Sequence, residues 1–336
     1  MMRLRPLSTS RKSATKFIAA PGLPGAPASH NDDRNKREMS GMKPFIATRN
    51  GMEEVWNESK LTVLNYSGGR QSACLLWMLI NGDLPMPNPF VVLNADPGME
   101  NSQTYKYNLA MKRECEKAGI EYVTCPGPNL YEDLINLPHT KATRMDNPPY
   151  WTKSEAGKRG RLPQKCTQHY KIAPMDREIR RQLERRFNIS QKSKRLGEAI
   201  VHKWIGFSFD EVSRLSRPGQ NYVAFRFPLI EQRMDKQAVL QYFLDRGIPI
   251  PPRSVCNACF ANGTSTFRDM YENRPEDWEQ AVAVDEAVRN WRQIGVRDEV
   301  YVSATLTPLR ELPRKGFLME EDDADNYSCD SGYCFT

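Results

Sequence analysis

The sequence predicts an α/β fold built on a parallel β-sheet, and three observations predict it. Short apolar runs alternate with helix-length runs from residue 61 onward. Strands interleaved with helices in this way imply a parallel sheet covered on both faces. The first strand joins its helix through Ser67-Gly68-Gly69-Arg70-Gln71-Ser72, a glycine turn at a strand–helix junction.

The elements follow in order. Residues 1–58 contain Ala20-Pro21-Gly22-Leu23-Pro24-Gly25-Ala26-Pro27 and a polar run from Ser29 to Arg37, and are expected to form a disordered N-terminal extension. Its first twenty residues are Arg/Ser-rich and free of acids, like an organelle transit segment, while Met42-Lys43-Pro44-Phe45-Ile46 reads like a native start. A transmembrane assignment finds no support, because no apolar run reaches the roughly 20 residues that span a bilayer.

Strand 61–66 feeds a helix over 72–81, and strand 90–95 feeds a helix over 101–118, opened by Asn101 or Ser102 as cap. Gly119 ends that helix, and 120–124 is a third strand. Residues 138–170 read as irregular and basic, 174–186 as a helix, and 199–206 as a strand that ends in Phe207-Ser208-Phe209-Asp210-Glu211. A helix over 235–246 starts near Asp235 and stops at Gly247; Pro249, Pro251 and Pro252 then break the chain. Trp278, Ala281, Val282, Val288 and Trp291 space a last helix from 275 to about 293. The pattern gives an α/β domain over 59–250. A helical, cysteine-containing extension with an acidic tail covers 251–336.

The chain has 336 residues and a net charge of +7. The distribution says more than the total: residues 140–186 hold thirteen Lys/Arg against five Asp/Glu, whereas 316–336 hold six acids and no base. A basic middle suits a phosphate-rich partner, nucleotide or nucleic acid, although solvated surface and Arg-mediated packing read equally well. Of the eight cysteines, Cys74, Cys115 and Cys125 lie in apolar or helical runs and read as core thiols.

The remaining cysteines and the glycine turn carry the chemistry. A strand, a glycine turn and a helix start aim backbone N–H groups at an anion, and the helix dipole adds favourable potential. Ser67, Gly68, Gly69, Arg70, Gln71 and Ser72 are therefore candidate phosphate-binding residues, although GxxxxGK[ST] is absent. Asp96 ends the second strand at the same end of the sheet, where ligands bind. Its carboxylate could hold magnesium or ribose hydroxyls, or simply form the turn before Pro97-Gly98. Cys256 and Cys259 are spaced to share one metal, with Cys166 as a distant third ligand. Three thiolates suit a [4Fe–4S] cluster with an open iron position; a fourth ligand would suit zinc, and unmetallated thiols are the third reading. His169 could be a ligand or an ordinary surface or core histidine. Arg144, Arg161, Lys165 and Lys171 flank the Cys166 segment and could contact phosphate or sulfate. Asp210 and Glu211 could bind a metal or position a hydroxyl.

Ser67-Gly68-Gly69-Arg70-Gln71-Ser72 resembles the pyrophosphate loop of the PP-loop ATP pyrophosphatases, the adenine nucleotide alpha-hydrolase-like superfamily. The segment Asn94-Ala95-Asp96-Pro97-Gly98-Met99-Glu100-Asn101-Ser102-Gln103-Thr104-Tyr105 resembles that of the phosphoadenylyl-sulfate reductase branch. Residues 164–174, 204–211, 251–260 and 329–334 extend the resemblance to the reductase-like proteins of phage and mobile elements, over roughly 60–335. The resemblance implies a Rossmann-like nucleotide-binding domain over 59–250 that takes ATP with Mg2+, or an adenylyl sulfate. It also implies cleavage of ATP between the α- and β-phosphates, and favours a cluster at Cys166, Cys256 and Cys259. Many ATP-cleaving members carry Asp where this chain has Gln71, and some sulfonucleotide reductases carry a neutral residue there.

Three functions follow. The first is adenylation of a substrate oxygen with pyrophosphate release, in sulfur transfer or modification of a nucleic acid such as tRNA or DNA, with a sulfur-donor protein as partner. The second is a sulfonucleotide reductase served by a thioredoxin-like reductant. There the resemblance makes Cys329 or Cys334 the nucleophile; a metal ligand or an idle pair are the other readings of these two. The third is a nucleotide or nucleic-acid binding protein without catalysis. The expected location is the cytoplasm of a bacterium or of a phage-infected host.

Overall fold

A computed structural model describes residues 45–54, 59–139, 141, 144–197 and 200–317. The chain enters the main sheet through a hairpin of β1 (Phe45–Ala47) and β2 (Met52–Glu54). Next come β3 (Leu61–Asn65), α1 (Arg70–Ile80), β4 (Phe90–Ala95), α2 (Ser102–Lys117) and β5 (Glu121–Cys125). An insertion carries α3 (Leu130–Asn136), β6 (Trp151–Lys153) and β7 (Arg159–Arg161). α4 (Ala173–Phe187) returns to the sheet, which continues as β8 (Val201–Trp204) and β9 (Val223–Arg226). α5 (Pro228–Glu231), α6 (Lys236–Asp245), α7 (Thr264–Asn273), α8 (Pro275–Val288) and β10 (Glu299–Tyr301) follow.

The main sheet runs β2-β1-β9-β8-β3-β4-β5. The five strands from β9 to β5 are mutually parallel, and β1 pairs antiparallel with the β9 edge. This is the predicted α/β class, with the parallel sheet wound in two directions. From β3 the chain moves outward to β4 and β5, then returns to the other flank of β3 as β8 and β9. The direction reverses between β3 and β8, and in sheets of this kind the crevice that takes the ligand lies there, beyond the carboxyl ends of the strands. Both the glycine turn after β3 and the segment after β8 border that crevice.

Local chemistry fixes the helix ends. Asn101 accepts a hydrogen bond from the Thr104 N–H at 2.8 Å, and Asp235 accepts one from Ala238 N–H at 2.8 Å, so both predicted starts are capped by short polar side chains. Asn188 ends α4 in the left-handed region at φ 53. Cys74, Cys115 and Cys125 are buried, as expected of core thiols, and burial pushes each up to about 12.

Several expectations change. The sheet begins before residue 59, because Ile46 and Ala47 pair with Arg226 and Phe225. Residues 138–170 are not irregular throughout: β6 pairs with both β7 and β10 in a second, three-stranded antiparallel sheet. Three-residue strands are too short to print a period, and β10 lies far away in sequence. The last long helix stops at Val288, where the Arg289 side chain turns to the Val300 carbonyl at 2.8 Å. One hydrophobic cluster joins Leu130, Tyr150 and Tyr170 of the insertion to Phe260, Trp278 and Trp291, so the C-terminal region shares its core with the insertion.

Candidate functional site

The glycine turn is held open by its own side chains. Ser67 and Ser72 hydroxyls lie 3.1 Å apart, the Gly69 N–H donates to Ser67 Oγ at 3.3 Å, and Ser72 Oγ donates to the Gly69 carbonyl at 3.1 Å. α1 starts at Arg70, and Gly69 at its N-cap makes no side-chain cap bond. The first N–H groups of a helix have no intrahelical acceptor, so those of α1 face the crevice without a cap. Gly68 sits at φ +82, and a Cβ there would lie 2.5 Å from Asn108 Oδ1. A side chain there would be strained by that φ and would have to push the Asn108 and Thr104 side chains aside. Arg70 Nε and Asn108 Oδ1 are buried and make no hydrogen bond. Gln71 is buried and donates to Glu211 Oε2 at 3.4 Å, which ties α1 to the segment after β8. Glu211 also accepts from Ser208 N–H at 3.1 Å and Ser208 Oγ at 3.0 Å in a capping box.

Cys166, Cys256 and Cys259 line one small cavity, with Pro97, Met99, Leu130 and Phe260 as apolar walls and Lys171 beside them. The topology brings them together. Cys166 starts a π-helical turn (Thr167–Ile172) that runs into α4, while Cys256 and Cys259 sit on a tight loop where Cys259 N–H donates to the Cys256 carbonyl at 3.0 Å. Buried Asn262 donates to the carbonyls of Cys256 and Asn257, at 3.0 and 2.9 Å, and so satisfies that loop internally. Tyr150 and Trp151 fasten it to the insertion through Ala258 and Phe260 carbonyls. Burial pushes the three thiols up, Cys259 to about 11, with Lys171 opposing.

Lys171 itself is buried. Burial disfavours its charge, but Glu100, 3.4 Å away, and the three sulfurs outweigh that and hold the ammonium above its ordinary value. Its place is thus against Glu100 and the cysteines; the sequence offered it as a contact for phosphate or sulfate. The Arg253–Asn257 stretch is laced onto the start of α2. Asn101 Nδ2 donates to the Arg253 carbonyl at 2.9 Å, Asn257 N–H donates to the Met99 carbonyl at 2.8 Å, and Glu100 bridges Cys256.

The other predicted residues are more scattered. Asp96 stands at the end of β4; its Oδ1 accepts from Gly98 N–H and from Tyr105 Oη, both at 2.7 Å, so it forms the turn and holds α2 at once. Arg161 lies over the ring of Phe260, a wall of the cysteine cavity, at 5.5 Å. Arg144 and His169 line a separate cavity of about 440 Å³ with Tyr170, and His169 Nδ1 is 3.1 Å from Asp146 Oδ2. Lys165 is exposed. Asp210 pairs with Lys236 Nζ at 3.2 Å and accepts from its N–H, which stabilises the carboxylate against burial and ties it to α6. Cys329 and Cys334 lie outside the described residues. Glu100, Ser254 and Asn262 were not assigned from sequence; Glu100 and Ser254 stood in segments that carry the resemblance, and nothing local marks a Glu or Ser that folding will bury.

The donor set of three cysteines fits a thiophilic metal or cluster in its chemistry. Their spacing as placed is looser: among the described residues no group of three or more His, Cys, Asp or Glu is arranged to hold a metal ion. No helix among the described residues is long and apolar enough to cross a membrane.

No protein-family profile matches this chain, and no curated protein matches it. Among solved structures, a U34-tRNA thiolase, NcsA, from Methanococcus maripaludis, solved with its [4Fe–4S] cluster, matches 79% of this chain and 84% of its own. The identity is 13% and the TM-score 0.32. The α/β assignment rests on the strand order of the sheet itself.

Proposed function

We propose that this chain is a PP-loop enzyme that binds ATP with Mg2+ and adenylates an oxygen of its substrate, as a step in sulfur transfer onto a nucleic acid. The observation that carries this reading is the uncapped glycine turn at the reversal point between β3 and β8, bonded to Ser254, two residues before Cys256 of the three-cysteine cavity. The substrate oxygen attacks the α-phosphorus, the α–β bridging bond breaks, and pyrophosphate leaves with that electron pair. Backbone N–H groups of the turn, the Ser67 and Ser72 hydroxyls and Arg70 meet the charge that develops on pyrophosphate. Asp96 lies at the same end of the sheet and would orient Mg2+ or ribose hydroxyls. Cys166, Cys256 and Cys259 would hold a [4Fe–4S] cluster, or zinc with a fourth ligand; a cluster bound there supplies a site for sulfur. Lys171 and Glu100 keep that pocket's charge balanced from inside the protein.

The test is anaerobic protein with α-labelled ATP and candidate tRNA or DNA acceptors. AMP and pyrophosphate in equal amounts, dependent on acceptor, are expected. Absence of both with every acceptor rules the reading out. The sequence favours one competing reading through Cys329 and Cys334: a sulfonucleotide reductase in which one of them attacks sulfur. It requires sulfite from an adenylyl sulfate, abolished by Cys329→Ser or Cys334→Ser.

A further inference from the structure

The Ser254 hydroxyl stands between two acceptors and has one proton to give. Its Oγ lies 2.8 Å from the Ser67 carbonyl in the glycine turn and 3.2 Å from Glu100 Oε2. The hydroxyl carries one proton, so it serves only one of them at a time. Ser254 is 2% exposed and Glu100 6%. Inside a low-dielectric setting the acceptor left unserved has a strong claim on another donor. For Glu100 that donor is Lys171, whose Nζ lies 3.4 Å from Oε1 and which lines the cysteine cavity.

We propose that Ser254 and Glu100 are positioning residues that couple anion binding at the glycine turn to the cysteine pocket. The inference rests on the proposed function for the identity of the nucleotide, but not for the coupling itself. The Ser67 carbonyl and the Gly68 N–H belong to one peptide unit. An anion that accepts from Gly68 N–H polarises that peptide and makes its carbonyl a better acceptor. The Ser254 proton is then drawn to Ser67, Glu100 Oε2 loses its donor, and the carboxylate closes on Lys171. Two discrete hydrogen-bond arrangements result, and an anion on the turn biases their balance. The stretch from Arg253 to Asn257 transmits the change, because Val255 and Asn257 are bonded to Asn101 and Met99 on either side of Glu100.

The test uses full-length protein as purified, with two probes, ATP–Mg2+ and inorganic pyrophosphate. Binding is measured by calorimetry, and amide hydrogen exchange is followed in the peptide 164–172, which carries Cys166 and Lys171. In wild type, saturation with either probe is expected to change exchange in that peptide at least twofold. In Ser254→Ala the same saturation should leave it unchanged, with affinity within threefold of wild type. Glu100→Gln should behave likewise and serves if Ser254→Ala does not fold. Pyrophosphate binding with the shift but no ATP binding would defeat the ATP reading and support the coupling. A bound probe without a shift in wild type, a shift that persists in both variants, or no binding of either probe would overturn it.

Discussion

A Cβ built on Gly206 would lie 2.9 Å from the backbone nitrogen of Ser72, so the residue two positions after β8 lies directly against the first turn of α1. This contact closes one wall of the crevice at the β3–β8 reversal. Gly206 does not adopt a positive φ, so the obstacle to a side chain is contact alone. Gly206→Ala must therefore push the start of α1 away from β8. We expect a loss of about 1–3 kcal/mol in stability, typical of overpacking, and at least tenfold weaker pyrophosphate binding. Gly51→Ala, where a Cβ meets open space, is the control. Calorimetric titration that shows unchanged affinity in Gly206→Ala would separate this contact from the anion site.

Gly68 combines both obstacles. Its φ of +82 disfavours any L side chain, and the added Cβ would meet Asn108 Oδ1 at 2.5 Å and Thr104 Cγ2 at 3.0 Å. Gly68→Ala is expected to destabilise by about 1–3 kcal/mol. Asn108→Ala relieves the contact but not the backbone, so the double variant should recover part of the loss. Full recovery in thermal unfolding would mean that the φ carries no cost.

Lys203 on β8 and Asp176 on α4 form a buried ion pair at 2.6 Å, and Gln220 donates to the second Asp176 oxygen at 2.7 Å. Removing one partner strands the other charge in the core. Asp176→Ala should cost about 3–5 kcal/mol, and Lys203→Met paired with Asp176→Leu should cost far less. Denaturant melts of the single and double variants check this; equal losses would mean that water reaches the pair.

The parallel sheet, α2, α4 and α6 were legible because their apolar spacing and caps are local. Asn101 and Asp235 announce helix starts within four residues. The grouping of Cys166 with Cys256 and Cys259 was legible only as a spacing that invites a third partner. What was not legible depends on long-range pairing. β1 is defined by β9, and β6 by β10. Lys171 read as a contact for phosphate or sulfate in a basic stretch, and only the fold shows it turned toward Glu100. Asp210, at a strand end beside Glu211, was a candidate to bind a metal or position a hydroxyl; its ion pair with Lys236 depends on the fold.

The cysteine cavity makes a prediction about metal content. Protein purified without oxygen should carry thiolate-bound metal, with iron if the cluster reading holds. Cys256→Ala should lose it, whereas Cys74→Ala, which alters a core thiol on α1, should keep it. Elemental analysis and visible absorption check both. Zinc in place of iron would make the cysteines a structural site; no metal in wild type would leave them as thiols.

His202 on β8 sets a pH dependence. It is 4% exposed, its Nε2 has no hydrogen-bond partner, and burial, reinforced by Arg226, lowers it to about 4 from 6.5. Between these values the unfolded chain takes up a proton that the folded chain refuses. Stability therefore falls as pH drops from about 6.5 toward 4, and this contribution is flat above pH 7. The difference is worth about 3 kcal/mol across the window. Glu121 and Asp210 are lowered too, and lose stability on acidification at lower pH. The comparison that isolates His202 is thus the slope of unfolding free energy against pH in wild type and in His202→Gln. His202→Gln should be shallower by close to one proton between pH 6.5 and 4, whatever its absolute stability. Parallel slopes would mean that the imidazole is protonated in the folded sheet.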